Sequence, residues 1–202
     1  MTKKGKFIVI DGIDGCGGQT QTKLLFDYLG SENVFFLAFP EYSTDLGQIV
    51  DKFLHKKIIY QEKAVELLVY YTNFLQFKPE INKALEEGKT VICDRYFTST
   101  LAFQSRAGNT IEEIMTLNSL FNLPIPDICI LLDITAEESQ RRKAREKMGE
   151  INLDRNESNR IFLDDIRKSY LNVAKKQIFC KWEIIDGEKP IEEIFNKIKE
   201  II

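Results

Sequence analysis

This sequence is poor in several residue types that catalytic and structural centres often use. It has one histidine, His55, beside Lys56 and Lys57, where it reads as a surface residue. No His/Cys cluster offers a zinc site. Four cysteines, Cys16, Cys93, Cys129 and Cys180, are widely spaced with no C-x-x-C pair, so they read as reduced intracellular thiols. No apolar run approaches the ~20 residues needed to span a bilayer. The opening MTKKGK is followed too soon by a strand-like run to serve as a secretion signal. Positive charge is not in excess: 28 Lys and Arg stand against 31 Asp and Glu, a net charge of −3. That balance gives no electrostatic case for a nucleic-acid partner. What remains is a cytoplasmic, globular chain of 202 residues, 44% hydrophobic and 29% charged, sized for one domain with a small lid.

The most telling absence lies in one loop. Residues Phe7 to Lys23 read FIVIDGIDGCGGQTQTK. An apolar run leads into a glycine-rich turn and then a helix-like segment, the layout of the phosphate loop G-x-x-x-x-G-K-[ST]. Gly12 and Gly17 hold the two glycine positions, but Gly18 stands where the lysine belongs and Gln19 where the hydroxyl belongs. The backbone half of the device survives, because N–H groups in such a turn and the helix N-terminus behind it form an anion nest. The missing lysine would neutralise β- and γ-phosphate charge, and the missing hydroxyl would reach Mg²⁺. Thr20 has the wrong offset to replace that hydroxyl. Lys23 lies five residues on, about 140° around a helix. On these residues alone, a plain glycine turn stays open as a reading.

Short apolar strands alternate with longer helical stretches, the pattern of a parallel sheet wrapped by helices. The strand candidates are Phe7–Ile10, Val34–Ala38, Thr90–Cys93, Ile128–Leu132 and Trp182–Ile185. Helices are expected over Thr20–Leu29, Asp45–Leu54, Gln61–Glu87, Ile111–Phe121, Ala136–Lys147, Asn156–Lys176 and Ile191–Ile202. Pro79 is expected to bend or split the third. Ligands bind such sheets at the carboxyl ends of the strands, and three of those ends run into polar segments: Asp11–Gln19, Pro40–Thr44 and Asp94–Thr100.

Each segment has a plain and a functional reading. Asp94 and Arg95 close a strand end, where Asp94 suits Mg²⁺ and Arg95 a phosphate; a simple ion pair is the alternative. Ser99, Thr100, Phe103 and Gln104 share one face of a short helical turn and suit a flat polar ring; a plain amphipathic helix is the alternative. Phe39, Pro40 and Tyr42 follow the second strand. The aromatics at 70, 71, 74 and 77 fit a core face or a stacking platform. Around Gly149, Arg141, Arg142, Arg145 and Arg155, with Lys143 and Lys147, form a basic stretch placed as a lid over residues 141–157. Its arginines are candidates to supply the charge the loop lacks.

Taken together, GIDG, FPEYST-x-x-G, the DRY segment with its S-x-x-A-F tail and D-R-x-E at Asp154–Glu157 resemble the thymidylate kinase family. The resemblance runs from Phe7 to about Tyr170 and more weakly beyond. It implies an α/β fold of the three-layer P-loop NTPase type with a parallel sheet of about five strands. It also implies a single kinase domain, a homodimer, ATP and Mg²⁺ as donor and metal, and transfer of the γ-phosphoryl to dTMP. By position, Gly12, Ile13, Asp14, Gly15, Cys16, Gly17, Gly18, Gln19 and Thr20 would hold the ATP phosphates, and Asp14 would meet the deoxyribose 3′-hydroxyl. Phe39, Pro40 and Tyr42 would line the dTMP site with Asp11, and Tyr70 would stack on the base. Asp94 and Arg95 would organise Mg²⁺ and the acceptor phosphate. Ser99, Thr100, Phe103 and Gln104 would form the base and sugar pocket. Gly15 stands where some members carry a basic residue, which turns attention to the lid arginines. Phe74 stands where the family usually has an arginine. Two readings follow: an active dTMP kinase whose other cations carry the charge, or an impaired nucleotide-binding paralogue acting as sensor or partner subunit. A P-loop kinase for another small acceptor is a third.

Overall fold

The computed structural model describes residues 4–55, 58, 62–146 and 160–202. Strand β1 (Phe7–Asp11) leads to helix α1 (Gly18–Leu29), a 3₁₀ turn and β2 (Val34–Ala38). Helices α2 (Asp45–Leu54), α3 (Lys63–Leu75) and α4 (Lys78–Glu86) precede β3 (Thr90–Asp94). Then come α5 (Phe97–Arg106), α6 (Ile111–Phe121), β4 (Ile128–Asp133), α7 (Ala136–Glu146), α8 (Arg160–Lys175), β5 (Trp182–Asp186) and α9 (Ile191–Ile201). The sheet has five parallel strands in the order β2-β3-β1-β4-β5. This is the expected architecture. β1 is buried along its whole length, which is why it reads as unbroken apolar sequence rather than as alternation.

The strand order also places the helices. The connection from β1 to β2 runs one way across the sheet, whereas those from β3 to β4 and β4 to β5 run the other. Right-handed crossovers then put the two sets on opposite faces. Accordingly α1 packs with α9, and α5 packs with α8. Because β1 lies between β3 and β4, the chain after β1 enters a crevice whose other wall is the chain after β3. That crevice is the topological switch point of the sheet.

Local chemistry explains several boundaries. Thr110 and Glu113 form a reciprocal capping box at the start of α6, satisfying two otherwise orphaned amides. The expected long helix at 61–87 is two helices. The break falls at Gln76–Phe77, and Pro79 sits in the first turn of α4, where its missing N–H costs nothing. The segment from Phe97 is a full helix of ten residues, longer than the short helical turn expected around Ser99–Gln104.

Gly47 fixes the loop after β2. A Cβ there would lie 1.7 Å from the Glu41 carbonyl oxygen and 2.8 Å from the Tyr42 Cα. The Gly47 amide caps onto Thr44 Oγ1 at 3.0 Å. The glycine thus lets α2 start directly beneath the Phe39–Thr44 loop. Gly47→Ala is expected to lower unfolding free energy by about 1–3 kcal/mol through overpacking against backbone, measured by urea denaturation. A variant as stable as the parent would show that the loop can retreat freely.

Candidate functional site

A cavity of about 930 Å³ opens over the carboxyl ends of β1, β2 and β3, at the upper end of the range for small-molecule sites. One end is the glycine loop. Gly17 precedes α1 with φ 96°, in the left-handed region, and has no side chain to cap the helix. The first turn of α1 carries no acidic residue. Its N-terminus therefore presents amides and partial positive charge to whatever anion enters. Gly12, Gly15, Cys16, Gly17, Gly18, Gln19 and Thr20 line this end, together with Asp14. Ile13, expected among them, is not part of the lining; its side chain is in the core.

Gly18 does more than omit a lysine. A Cβ at this position would sit 2.7 Å from Asp94 Oδ1 and 3.7 Å from Cys16 Sγ. The carboxylate of Asp94 thus stands close against the place that a lysine's first side-chain carbon would take. Burial pushes Asp94 up to about 6, Arg95 opposes the shift, and the nearby Asp11 charge adds to it. Cys16 is driven by burial up to about 12, so it is a packed thiol and not a nucleophile.

Arg95 follows with φ 64°, a backbone state that costs a non-glycine residue on the order of 1 kcal/mol or more. Its amide donates to the Ile10 carbonyl at 2.9 Å. Its guanidinium donates to Asp14 Oδ1 at 2.6 Å and to Tyr170 Oη at 3.3 Å. It also lies 5.7 Å from the centre of the Phe103 ring. Burial opposes its charge, but Tyr170, Asp14 and Asp11 outweigh that and keep it protonated. Arg95 therefore sits between the loop and the far half of the cavity as a fixed positive charge.

That far half is aromatic. Phe39 meets Phe74 edge-on at 4.9 Å and Phe77 at 5.8 Å. Tyr70 packs edge-on against Phe53. Gln104, only 1% exposed, donates to Glu66 Oε1 at 3.0 Å and accepts from Asn109 at 3.3 Å, which sets the orientation of its amide. Ser99, Thr100, Phe103, Phe39, Pro40 and Tyr42 complete the lining. Asn73 holds this wall in place by pairing both of its amide atoms with the backbone of Glu41, at 2.9 and 3.2 Å.

Among the described residues, Asp94 is the candidate to hold Mg²⁺ here. Among the described residues there is no cluster of three His, Cys, Asp or Glu side chains that would cage a metal. Asp94 nevertheless presents its carboxylate beside the loop with no hydrogen bond among the influences on its charge. Asp14, which lines the same end, is paired with Arg95; a carboxylate such as Asp94 next to a phosphate site fits Mg²⁺, which keeps most of its waters and shares phosphate oxygens.

A family model for thymidylate kinase matches residues 10–198. The chain is 33% identical to a probable thymidylate kinase of Pyrococcus abyssi, over 98% of this chain and 96% of that one. It is 35% identical to the thymidylate kinase of Thermosipho africanus, over 97% and 96%. The chain belongs to the thymidylate kinase family. Among solved structures, thymidylate kinase from Ehrlichia chaffeensis superposes with a TM-score of 0.74 at 26% identity, covering 98% of both chains. The enzyme from Candida albicans gives 0.77 at 23% identity, covering 98% of this chain and 91% of that one, a likeness of fold.

Within this thymidylate-kinase frame, several expected roles move. Asp11 was expected at the substrate, yet it is 1% exposed and does not line the cavity. Its carboxylate accepts from Thr98, Ser99 and Tyr170 at 2.6–2.8 Å, so it lies beneath the floor as a structural hub. Arg141 is paired with Glu138 through two hydrogen bonds of 2.6 and 2.7 Å. Arg142 donates to the carbonyls of Gly15, Cys16 and Gly187. Arg145 is exposed, and none of these three lines the cavity. Arg155 and the DRNE segment lie outside the described residues, as does the expected lid beyond Glu146. Residues the sequence reading passed over do line it, Glu66, Arg106 and Phe162, as does Lys143, which it named only within the basic stretch. Glu66 precedes Tyr70 by one helical turn, and that i, i+4 spacing was the available signal.

Asp94 yields a pH prediction. Its folded-state value of about 6 exceeds the ordinary 3.8. Between those values the folded state holds more protons than the unfolded one, so stability falls as pH rises through that window and levels off above it. Asp11 is raised as well, by burial first, so the informative quantity is the difference between variants. Without nucleotide or metal, Asp94→Asn is expected to melt higher than the parent at neutral pH. The gap should close as pH falls through 3.8. Parallel pH profiles for the two proteins would remove Asp94 as a buried titrating group.

Proposed function

We propose that the chain transfers the γ-phosphoryl group of ATP to the 5′-phosphate of dTMP, giving ADP and dTDP. The observation that carries this reading is the order of chemistries along one cavity: amides at the capless start of α1, then Asp94 and Arg95, then an aromatic pocket with an oriented amide. A triphosphate suits the first part, two approaching phosphates the second, and a pyrimidine ring the third.

In this reading the loop Gly12–Thr20 grips the donor phosphates through backbone amides. Arg95, pinned by Asp14, draws the acceptor phosphate toward the γ-phosphorus and offsets charge as it spreads. Tyr70 and Phe74 face the base, and Gln104, held by Glu66 and Asn109, supplies an amide edge for its polar groups. Ser99 and Thr100 flank the sugar. Asp94 would hold Mg²⁺, which when bound would neutralise charge on the donor phosphates. No general base is required, because the acceptor phosphate oxygen is already anionic. The same reading takes residues 1–202 as one domain with a lid over 141–157, working as a homodimer in the cytoplasm.

A coupled assay with ATP and Mg²⁺ across dTMP, dUMP, dCMP and dGMP tests it, with dTMP expected to be preferred. Arg95→Ala is expected to lower kcat by at least ~10²–10³. Saturable nucleotide binding with no transfer to any of the four would replace this reading with that of an impaired paralogue.

A further inference from the structure

Two carboxylates compete for the charge of Arg95, and of the two only Asp14 lines the cavity. We propose that Tyr170, on α8, is a positioning residue that keeps Arg95 out of direct contact with buried Asp11 and so holds its guanidinium at the acceptor phosphate. This rests on the kinase reading above, in which Arg95 meets that phosphate.

The geometry around one hydroxyl carries the inference. Tyr170 is fully buried, and its Oη donates to Asp11 Oδ1 at 2.6 Å. The same oxygen accepts from Arg95 Nη1 at 3.3 Å. Nη1 itself lies 3.8 Å from that Oδ1, beyond hydrogen-bond reach. The phenol therefore bridges guanidinium and carboxylate and keeps them apart. Ser99 Oγ lies 3.1 Å from Tyr170 Oη and donates its own proton to Asp11 at 2.8 Å, so the tyrosine proton serves Asp11. Burial first, and then the Asp11 charge, hold that proton on the phenol. The ring is fixed as well. It meets Phe103 edge-on at 6.0 Å, and Arg95 lies over the same Phe103 ring at 5.7 Å.

The competing arrangement is near and attractive. A direct bond from guanidinium to carboxylate is stronger than one relayed through a neutral hydroxyl, and burial strengthens it further. Arg95 Nη2 is tied to Asp14 Oδ1 at 2.6 Å. A guanidinium pivoting on that bond brings Nη1 against Asp11 with a movement of about 1 Å. Without the phenol oxygen, Asp11 Oδ1 loses a donor and Nη1 loses an acceptor, and pairing the two satisfies both. The guanidinium then turns toward the floor and away from the cavity. A displacement of about 1 Å in a positioning contact costs catalysis on the order of a hundredfold. Thr98 supplies the comparison. It donates to the other oxygen of the same carboxylate, Asp11 Oδ2, at 2.6 Å. Arg95 donates to Asp14 and Tyr170, not to Thr98.

The test compares wild type, Tyr170→Phe and Thr98→Val by equilibrium binding of dTMP and of thymidine, which lacks the phosphate, with steady-state kinetics and thermal melting alongside. In Tyr170→Phe the preference for dTMP over thymidine is expected to shrink by ~10–100-fold, the worth of a hydrogen bond to a charged group. Its kcat should fall by ~10²-fold, while KM for ATP stays within about threefold of wild type. Thr98→Val takes a donor from the same carboxylate and is expected to melt lower while keeping the dTMP preference within about threefold of wild type. Equal loss of that preference in both variants assigns the effect to the Asp11 hub and overturns the inference. So does an unchanged preference in Tyr170→Phe. A crystal structure of the wild type with dTMP decides without any variant: Arg95 is expected to keep its bond to Tyr170 Oη while it meets the phosphate, and an Arg95 that has left Tyr170 overturns the inference. A wild type that prefers dTMP at equilibrium but transfers nothing removes the kinase reading alone. A wild type that binds dTMP no more tightly than thymidine removes both.

Discussion

One buried carboxylate holds the site together. Asp11 ends β1, caps the Gly12 amide at 2.9 Å, and accepts hydrogen bonds from Thr98 and Ser99 of α5 and Tyr170 of α8. The phosphate loop and both helices of the far wall are thus fastened to a single pair of oxygens. Burial raises the cost of keeping that carboxylate charged, and Arg95 is the first influence that opposes it, 3.8 Å away. Removing one partner of such a buried group typically destabilises by about 3–5 kcal/mol. Arg95 then passes the charge balance outward to Asp14 at the cavity surface. The core and the site therefore share one electrostatic network, and a change at either end is felt at the other.

The second theme is the division of labour among cations. Arg142 shows it best. Its three guanidinium contacts to carbonyls join the loop to the turn after β5, and its Nε meets Glu138 at 2.7 Å. It serves architecture, holding the outward carbonyls so that the amides can face inward. Arg167 does the same for the end of β4, gripping Asp133 with two bonds of 2.6 and 2.9 Å. Surface pairs such as Lys197–Glu200 contribute little by comparison.

Much of this was legible in the sequence. The strands announced themselves because a parallel sheet covered on both faces leaves unbroken apolar runs, and the polar segments at their ends then had to meet in one crevice. Gly12, Gly17, Asp94, Arg95, Thr100 and Gln104, in or just after the segments that follow those runs, do line one cavity. What escaped depended on phase and depth. Asp11 is one residue from the loop in sequence, yet it belongs to the strand and points into the core. Arg141, Arg142, Lys143 and Arg145 are near neighbours of similar charge. Which of them faces the loop depends on the rotation of α7, which is set by contacts such as Ser139 Oγ with the Asp14 carbonyl. Pro79 was expected to bend or split one long helix, and the helix is split; what the sequence did not show is that the break falls before it, at Gln76–Phe77.

The closeness of Asp94 to Gly18 makes the two positions interdependent. A side chain built on Gly18 would begin 2.7 Å from Asp94 Oδ1, so any residue other than glycine there requires the carboxylate to shift. Putting a lysine into the loop is therefore a change at two positions, and a variant altered at Gly18 alone reports on a displaced Asp94 as much as on the added charge.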